Sequence, residues 1–174
     1  MINIQDLINY DLPVLDPEQK VNDVLYYFDD YQTDYLLVAK EDKYIGQLSI
    51  LYAENAMGDV TVGELKLDFN EISFSIARHP YTYLRKGLEK KLSLLPVINE
   101  NNDLEGAIKT ADLSIALLEQ HALNFKGSII EIATPVTTYS LAEITRIIEA
   151  NGAKVLNANY SEVKENAHVL LKLN

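Results

Sequence analysis

The 174-residue chain has no cysteine and no tryptophan. Without thiols it can build no disulfide, no thiolate metal site and no cysteine nucleophile. Positive charge is scarce: 15 Lys and Arg face 26 Asp and Glu, for a net charge of -11 and a pI of about 4.6. Nucleic acids and anionic membrane surfaces are therefore poor partners, because both need a basic footprint. Long hydrophobic runs are missing as well, and none approaches the roughly 18–20 residues that span a bilayer. The opening MINIQDLINYDLPVLD lacks a basic n-region and is interrupted early by acids, so it does not read as a signal peptide. The expectation is a cytoplasmic chain. No Gly-rich phosphate loop, Gly-x-Ser-x-Gly elbow or paired His-Glu motif occurs, and no nucleophile–base pair can be nominated. His79, His121 and His168 show no metal-ligand spacing. Asp29, Asp30 and Asp34 read as a solvated face, since no Gly-containing cation loop accompanies them. The sequence thus predicts no enzyme and no metal.

What is present is apolar mass, 48% of residues, enough for one medium or two small domains. It is arranged as an internal repeat. In the first copy Val21, Val24, Leu25 and Phe28 recur at helical spacing, and Tyr35–Val38 is a short apolar strand. Lys40–Lys43 is a polar turn, strand character resumes over Tyr44–Ile50, and a helix is expected from Ile50 to Met57. In the second copy Leu84, Leu88, Lys91 and Leu92 sit at helical spacing. Leu94–Ile98 is a strand, Asn99–Asp103 a turn cluster, and Leu104–Ile108 the return strand. Thr110 or Asp112 can cap a helix that runs through Leu113, Ala116, Leu117 and His121. Gly46 and Gly106 occupy the same place in the two copies, about 60 residues apart.

Charge divides unevenly. Residues 1–59 hold twelve acids and three bases, residues 60–122 nine and seven, and residues 123–174 five of each. An anion site is therefore expected beyond the first copy. The basic cluster is Arg78-His79-Pro80-Tyr81 with Arg85, Lys86, Lys90 and Lys91, which reads as a solvated helix face or as a phosphate anchor. Tyr27, Tyr31 and Tyr35 form one stripe of the first predicted helix, suited to a subunit interface or to an enlarged core.

Residues 127–174 keep a different rhythm. Ser128–Ala133 is a strand, and Ser140 with Glu143 forms a capping box for a helix whose apolar face is Leu141, Ile144, Ile147 and Ile148. Asn151-Gly152 stops it. Lys154–Tyr160 and His168–Leu173 are strands around a turn at Glu165-Asn166. The order is β-α-β-β.

Two copies of helix-strand-turn-strand-helix, with Leu95-Pro96-Val97 and Gly106-Ala107-Ile108-Lys109-Thr110-Ala111-Asp112-Leu113, resemble a tandem CBS-domain pair, or Bateman module. The resemblance spans residues 1–59 and 60–122. It implies an α+β fold in which the two motifs pack as a pseudo-twofold pair and bind adenosyl ligands in the clefts between them. That family's signature is Gly, two apolar residues, Ser or Thr, two variable residues, then an Asp that bonds ribose hydroxyls. An ionised carboxylate accepts two strong hydrogen bonds from vicinal hydroxyls. Here the first copy offers Gly46 and Ser49 but carries Tyr52 at the Asp position. The second has Gly106 and Asp112, with Lys109 at the hydroxyl position and Thr110 one place later.

Carried over residue by residue, the resemblance nominates Asp112 for ribose, with a helix N-cap as its structural alternative. Lys109 suits a phosphate or a solvent-facing strand position. Arg78 and His79 suit phosphates, Pro96 and Val97 an adenine ring or the core, and Thr110, Gly106 and Ser49 complete the set. The ligand implied is AMP, ADP, ATP or S-adenosylmethionine, sensed without catalysis by a homodimer. The competing function is a ligand-free dimerisation or protein-interaction module with degenerate nucleotide sites. Residues 127–174 resemble the start of a ferredoxin-like ACT domain, with the last helix and strand supplied by a partner or lost. A CBS pair followed by ACT is the layout of the acetoin-utilisation accessory protein family.

Overall fold

The computed structural model describes residues 2–75 and 79–174. Arg78 lies outside the described residues. The chain forms two compact units, Met1–Ile115 and Ala116–Asn174.

The first unit builds one small plan twice. β1 (Val14–Leu15) runs parallel to β2 (Tyr35–Lys40), and β2 pairs antiparallel with β3 (Lys43–Ser49). Between β1 and β2 lie a 3-10 turn, Val21–Asp23, and α1 (Tyr26–Asp30); α2 (Ile50–Glu54) follows β3. In the second copy β4 (Phe74–Ser75) leads to α3 (Pro80–Lys90), then β5 (Leu94–Ile98) and β6 (Leu104–Lys109). α4 (Thr110–Gln120) begins there and continues into the second unit. The sheet orders are β1-β2-β3 and β4-β5-β6, each with one parallel and one antiparallel pairing. Even the irregularities repeat: the register slips at Val38/Ala39 and again at Val97/Ile98. The first hairpin turns on Glu41 and Asp42, at φ 49° and 64°. Two consecutive positive-φ residues suit the right-handed twist of flanking strands.

Apolar runs without alternation mark strands buried on both faces. Leu36 and Val38 join Val21, Val24, Phe28 and Leu48 in the first copy's own core. Leu37, between them, points the other way, into a seam with Leu12, Leu94 and Ala107. The seam therefore joins the two copies.

Several expectations are corrected here. The first helix is much shorter than the tyrosine stripe requires: Tyr31 caps it and Tyr35 lies in β2. Tyr31 packs at the seam and Tyr27 against the first core, while the Tyr35 ring lies 5.4 Å from Phe69. All three tyrosines are half-buried, whereas the adjacent Tyr26 is exposed. α2 ends at Glu54, leaving Met57 91% exposed. α3 buries Pro80, Tyr83 and Gly87, while Leu88 faces solvent. The helix is turned so that bare Gly87 meets the sheet, where a Cβ would lie 2.8 Å from Leu95. α4 starts at Thr110, which puts Asp112 inside its first turn rather than at the cap.

The second unit contains β7 (Ile129–Pro135), α5 (Leu141–Ala150), β8 (Val155–Val163) and β9 (Asn166–Leu173), in sheet order β7-β9-β8 with antiparallel neighbours. Ser140 caps α5 by accepting a bond from Glu143 N at 3.3 Å. The turn sits at Lys164-Glu165, one residue before its expected place, because Asn166 already pairs with Val163. Val169, Leu171 and Leu173 pack against Ile132, Ile144 and Ile148 to form the core. Among the described residues no helix is long and apolar enough to cross a membrane.

Candidate functional site

The two copies are tied by segments that cross over. Asn9, ahead of β1, forms an antiparallel bridge with Ala107 of the second copy; Asp68, ahead of β4, bridges Gln47 of the first. Asn9 N donates to Ala107 O at 2.8 Å, and Asp68 N to Gln47 O at 2.9 Å. The approach is so close that the neighbouring positions must lack a side chain. A Cβ on Gly106 would lie 2.8 Å from Asn9 O, and one on Gly46 would lie 2.9 Å from Leu67 Cβ. Chain crossing thus accounts for Gly106, and together with a φ of 150° for Gly46.

Beside each crossing a strand hands over to a helix, and the two junctions differ. In the first copy Ser49 is buried and caps α2, accepting a bond from Leu51 N at 3.3 Å. Tyr52 is held at the surface: Lys66 Nζ donates to its hydroxyl at 3.0 Å and lies 5.3 Å from its ring centroid. That contact and Asp68 hold the Lys66 ammonium above its usual pKa. The signature's Asp position here is Tyr52, already engaged by Lys66, so this junction does not match the ligand motif that the resemblance implies.

In the second copy Thr110 is buried, and its hydroxyl donates to Leu92 O at 2.6 Å. Lys109 is half-buried, its Nζ 3.5 Å from Tyr31 O across the seam. Asp112 is exposed in the first turn of α4, where the helix dipole favours a negative charge. Pro96 and Val97 are buried in the middle strand of their sheet, with Pro96 opposite Ala107 and Val97 opposite Gly106. His79 is exposed at the N-cap of α3, its Nδ1 accepting from Tyr81 N at 3.3 Å and its ring 4.9 Å from that of Tyr81. Gly106 and Lys109 thus lie on β6, paired with the β5 strand of Pro96 and Val97, and Thr110 and Asp112 follow in the first turn of α4. Ser49 belongs to the other junction. An exposed carboxylate in the first turn of a helix can accept from hydroxyls, and a lysine one turn before it can meet an anion.

Sequence reasoning passed over the seam's polar groups. Gln47 is fully buried, and its amide donates to Leu94 O at 3.1 Å across the copies. Its Oε1 has no hydrogen-bond partner among the described residues. The Tyr44 hydroxyl donates to Phe69 O at 3.0 Å, and burial pushes its pKa well above the usual phenol range. At the hairpin tips Lys43 pairs with Asp103 and donates to Asn101 O at 2.7 Å. Lys43, together with Asn99, holds the Asp103 carboxyl below its usual range. A glutamine within an apolar strand was the one available hint.

No protein-family profile matches the chain, and no curated protein does. Solved structures do. A CBS domain pair/ACT domain protein from Thermotoga maritima matches 68% of this chain and 98% of its own, at 23% identity and a TM-score of 0.62. CBSX2 in complex with AMP matches 67% and 96%, at 19% identity and a TM-score of 0.56. The cytosolic domain of the Mg2+ channel MgtE, in complex with ATP, matches 64% and 47%, at 18% identity and a TM-score of 0.55. The twofold plan, the crossed segments and these likenesses agree: the chain has the fold of a CBS-domain pair.

Proposed function

We propose that this chain is a non-catalytic regulatory module that senses an adenosyl metabolite (AMP, ADP, ATP or S-adenosylmethionine) at the junction of β6 and α4. The observation that carries the reading is Asp112, an exposed carboxylate in the first helical turn after Gly106. Its counterpart in the first copy is a tyrosine engaged by Lys66. Asp112 takes the ribose hydroxyls, and Lys109, with Arg78 and His79, meets phosphate. Pro96 and Val97 back the base, while Thr110 and Gly106 shape the junction. Ser49 remains a helix cap. Two structural neighbours, in complex with AMP and with ATP, support the ligand class. A ligand shifts such a module only through different affinity for its two packings.

Residues 127–174 serve in this reading as an ACT-like output segment, so that the layout resembles the acetoin-utilisation accessory proteins. The order β7-β9-β8, antiparallel throughout, supports a ferredoxin-like arrangement. Cytoplasmic residence and self-association belong to the same proposal. A second reading, a ligand-free interaction module, is favoured by the internal commitments of Ser49 and Thr110 and by the steric origin of Gly106.

A thermal-shift series with AMP, ADP, ATP, S-adenosylmethionine and NAD decides between them. A ligand at a hundredfold its Kd adds about 2.7 kcal/mol, or roughly 5–10 °C for this chain length. The sensor reading requires such a shift by an adenosyl compound and its loss in Asp112→Ala. Flat curves at millimolar ligand would refute the sensor reading and leave the interaction module as the reading to test.

A further inference from the structure

α5 ends on a pair of residues with chemistry of its own. Asn151 is its C-cap and Gly152 follows at a φ of 88°, both exposed. This is the single Asn-Gly pair of the chain: every other asparagine before Asn174 precedes a residue with a side chain. Hydrogen bonds hold the turn closed. Asn151 N donates to Ile148 O at 3.1 Å, Gly152 N to Glu149 O at 3.0 Å, and Asn151 Nδ2 to Ile147 O at 2.8 Å. All of them lie at an exposed helix end, where local opening costs little. Beyond its two chain neighbours, nothing stands within 4 Å of where a Gly152 Cβ would be, so the turn has room to open there.

We propose that Asn151 is a site of spontaneous deamidation through Gly152, a covalent modification that loosens the end of α5. When the last turn opens, Gly152 N attacks Asn151 Cγ. The N–Cγ bond forms, the Cγ–Nδ2 bond breaks, and ammonia leaves with the proton of the Gly152 peptide. The ring so formed is a succinimide, which water opens at either carbonyl. Attack at Cγ leaves aspartate in the ordinary chain. Attack at the main-chain carbonyl of residue 151 leaves isoaspartate, with the chain running through Cγ. Glycine permits the closure because it has no Cβ to obstruct it and reaches backbone angles that other residues do not. Water is the one co-reactant.

Either product costs α5 its cap. The Nδ2 donor to Ile147 O is gone, and an ionised carboxylate only accepts. Its charge falls at the negative end of the helix dipole, two residues from exposed Glu149. α5 carries Ile144 and Ile148 onto Val169, Leu171 and Leu173, so the loosening begins at the margin of this unit's core. The modification is independent of nucleotide binding.

The full chain is aged in mildly alkaline buffer at physiological temperature. Its peptides are then mapped by mass spectrometry, with isoaspartyl methyltransferase labelling. Asn151 is expected to exchange NH for O ahead of the exposed Asn101 and Asn166, faster as pH rises, and to give isoaspartate as well as aspartate. Asn151→Gln, which would have to close a larger ring, is expected to stay unmodified. Hydrogen exchange in the last turn of α5 is expected to be about two- to five-fold faster in aged protein, and Asn151→Asp to reproduce that change with the ordinary linkage. Chain unfolded in urea gives the unrestrained rate. Modification of Asn151 in the unfolded but not the folded chain would overturn the proposal, because the turn then locks the site. A rate at Asn151 no higher than at Asn101 and Asn166, or aspartate without isoaspartate, would overturn it as well. Unchanged exchange in the aged protein would overturn the loosening.

Discussion

Replacing Gly106 by alanine separates a packing glycine from a ligand-binding one. The new Cβ would fall 2.8 Å from Asn9 O and 2.8 Å from Ile8 Cγ2. Neither neighbour can yield cheaply. The oxygen is backbone, in a segment whose own N–H donates to Ala107 O at 2.8 Å, and Ile8 is buried. Relief requires the crossing segment to move off β6, and overpacking of this kind costs about 1–3 kcal/mol. For a chain of this size each kcal/mol lowers Tm by about 2–4 °C, so Gly106→Ala is expected to melt roughly 2–12 °C below wild type. The assay is circular dichroism melting of nucleotide-free protein. Asp112→Ala serves as the comparison: its side chain is exposed, and it loses only a favourable charge in the first turn of α4, about 0.3–1 kcal/mol. If Gly106→Ala melts within about 1 °C of wild type, the crossing does not explain the glycine, and its place in a ligand motif regains its force.

Two smaller perturbations test the same architecture. Ser49→Ala removes the cap on Leu51 N at a buried position and is expected to cost about 0.5–2 kcal/mol in urea denaturation, with Ser49→Thr retaining most of the stability. The Asp103 carboxyl, held down by Lys43 and then Asn99, is expected to titrate below the usual carboxylate range in NMR and to rise toward that range in Lys43→Met. Because its folded-state pKa is depressed, the stabilisation it brings is present above the unfolded pKa and is lost as pH falls through the folded one.

Local patterns were legible from the residues alone. The strands Leu94–Ile98 and Leu104–Ile108 and the helix capped by Ser140 follow from apolar period, turn chemistry and capping, all of which act within about ten residues. The repeat was equally plain, down to the matched glycines. What the sequence could not give was set by contacts between distant segments. The first helix ends at Asp30 and frees Tyr31 for the seam, although its pattern of side chains would have let it continue. α3 buries Gly87 and exposes Leu88, because close approach to Leu95 outweighs the burial of one leucine.

The candidate site divides along the same line. The resemblance to a CBS-domain pair singled out Asp112 and Lys109, and charge composition the basic stretch around α3. The sequence also determined the absence of thiols and the acidic character of the first copy. Only the tertiary structure decided what those residues are free to do. It committed Ser49 and Thr110 to backbone partners, tied Tyr52 to Lys66, gave the glycines a steric role, and buried Gln47 between the copies. Apart from the local Ser49 cap, each of these depends on which atoms of segments distant in sequence come within hydrogen-bonding or van der Waals distance, and that is settled only when those segments meet in the fold.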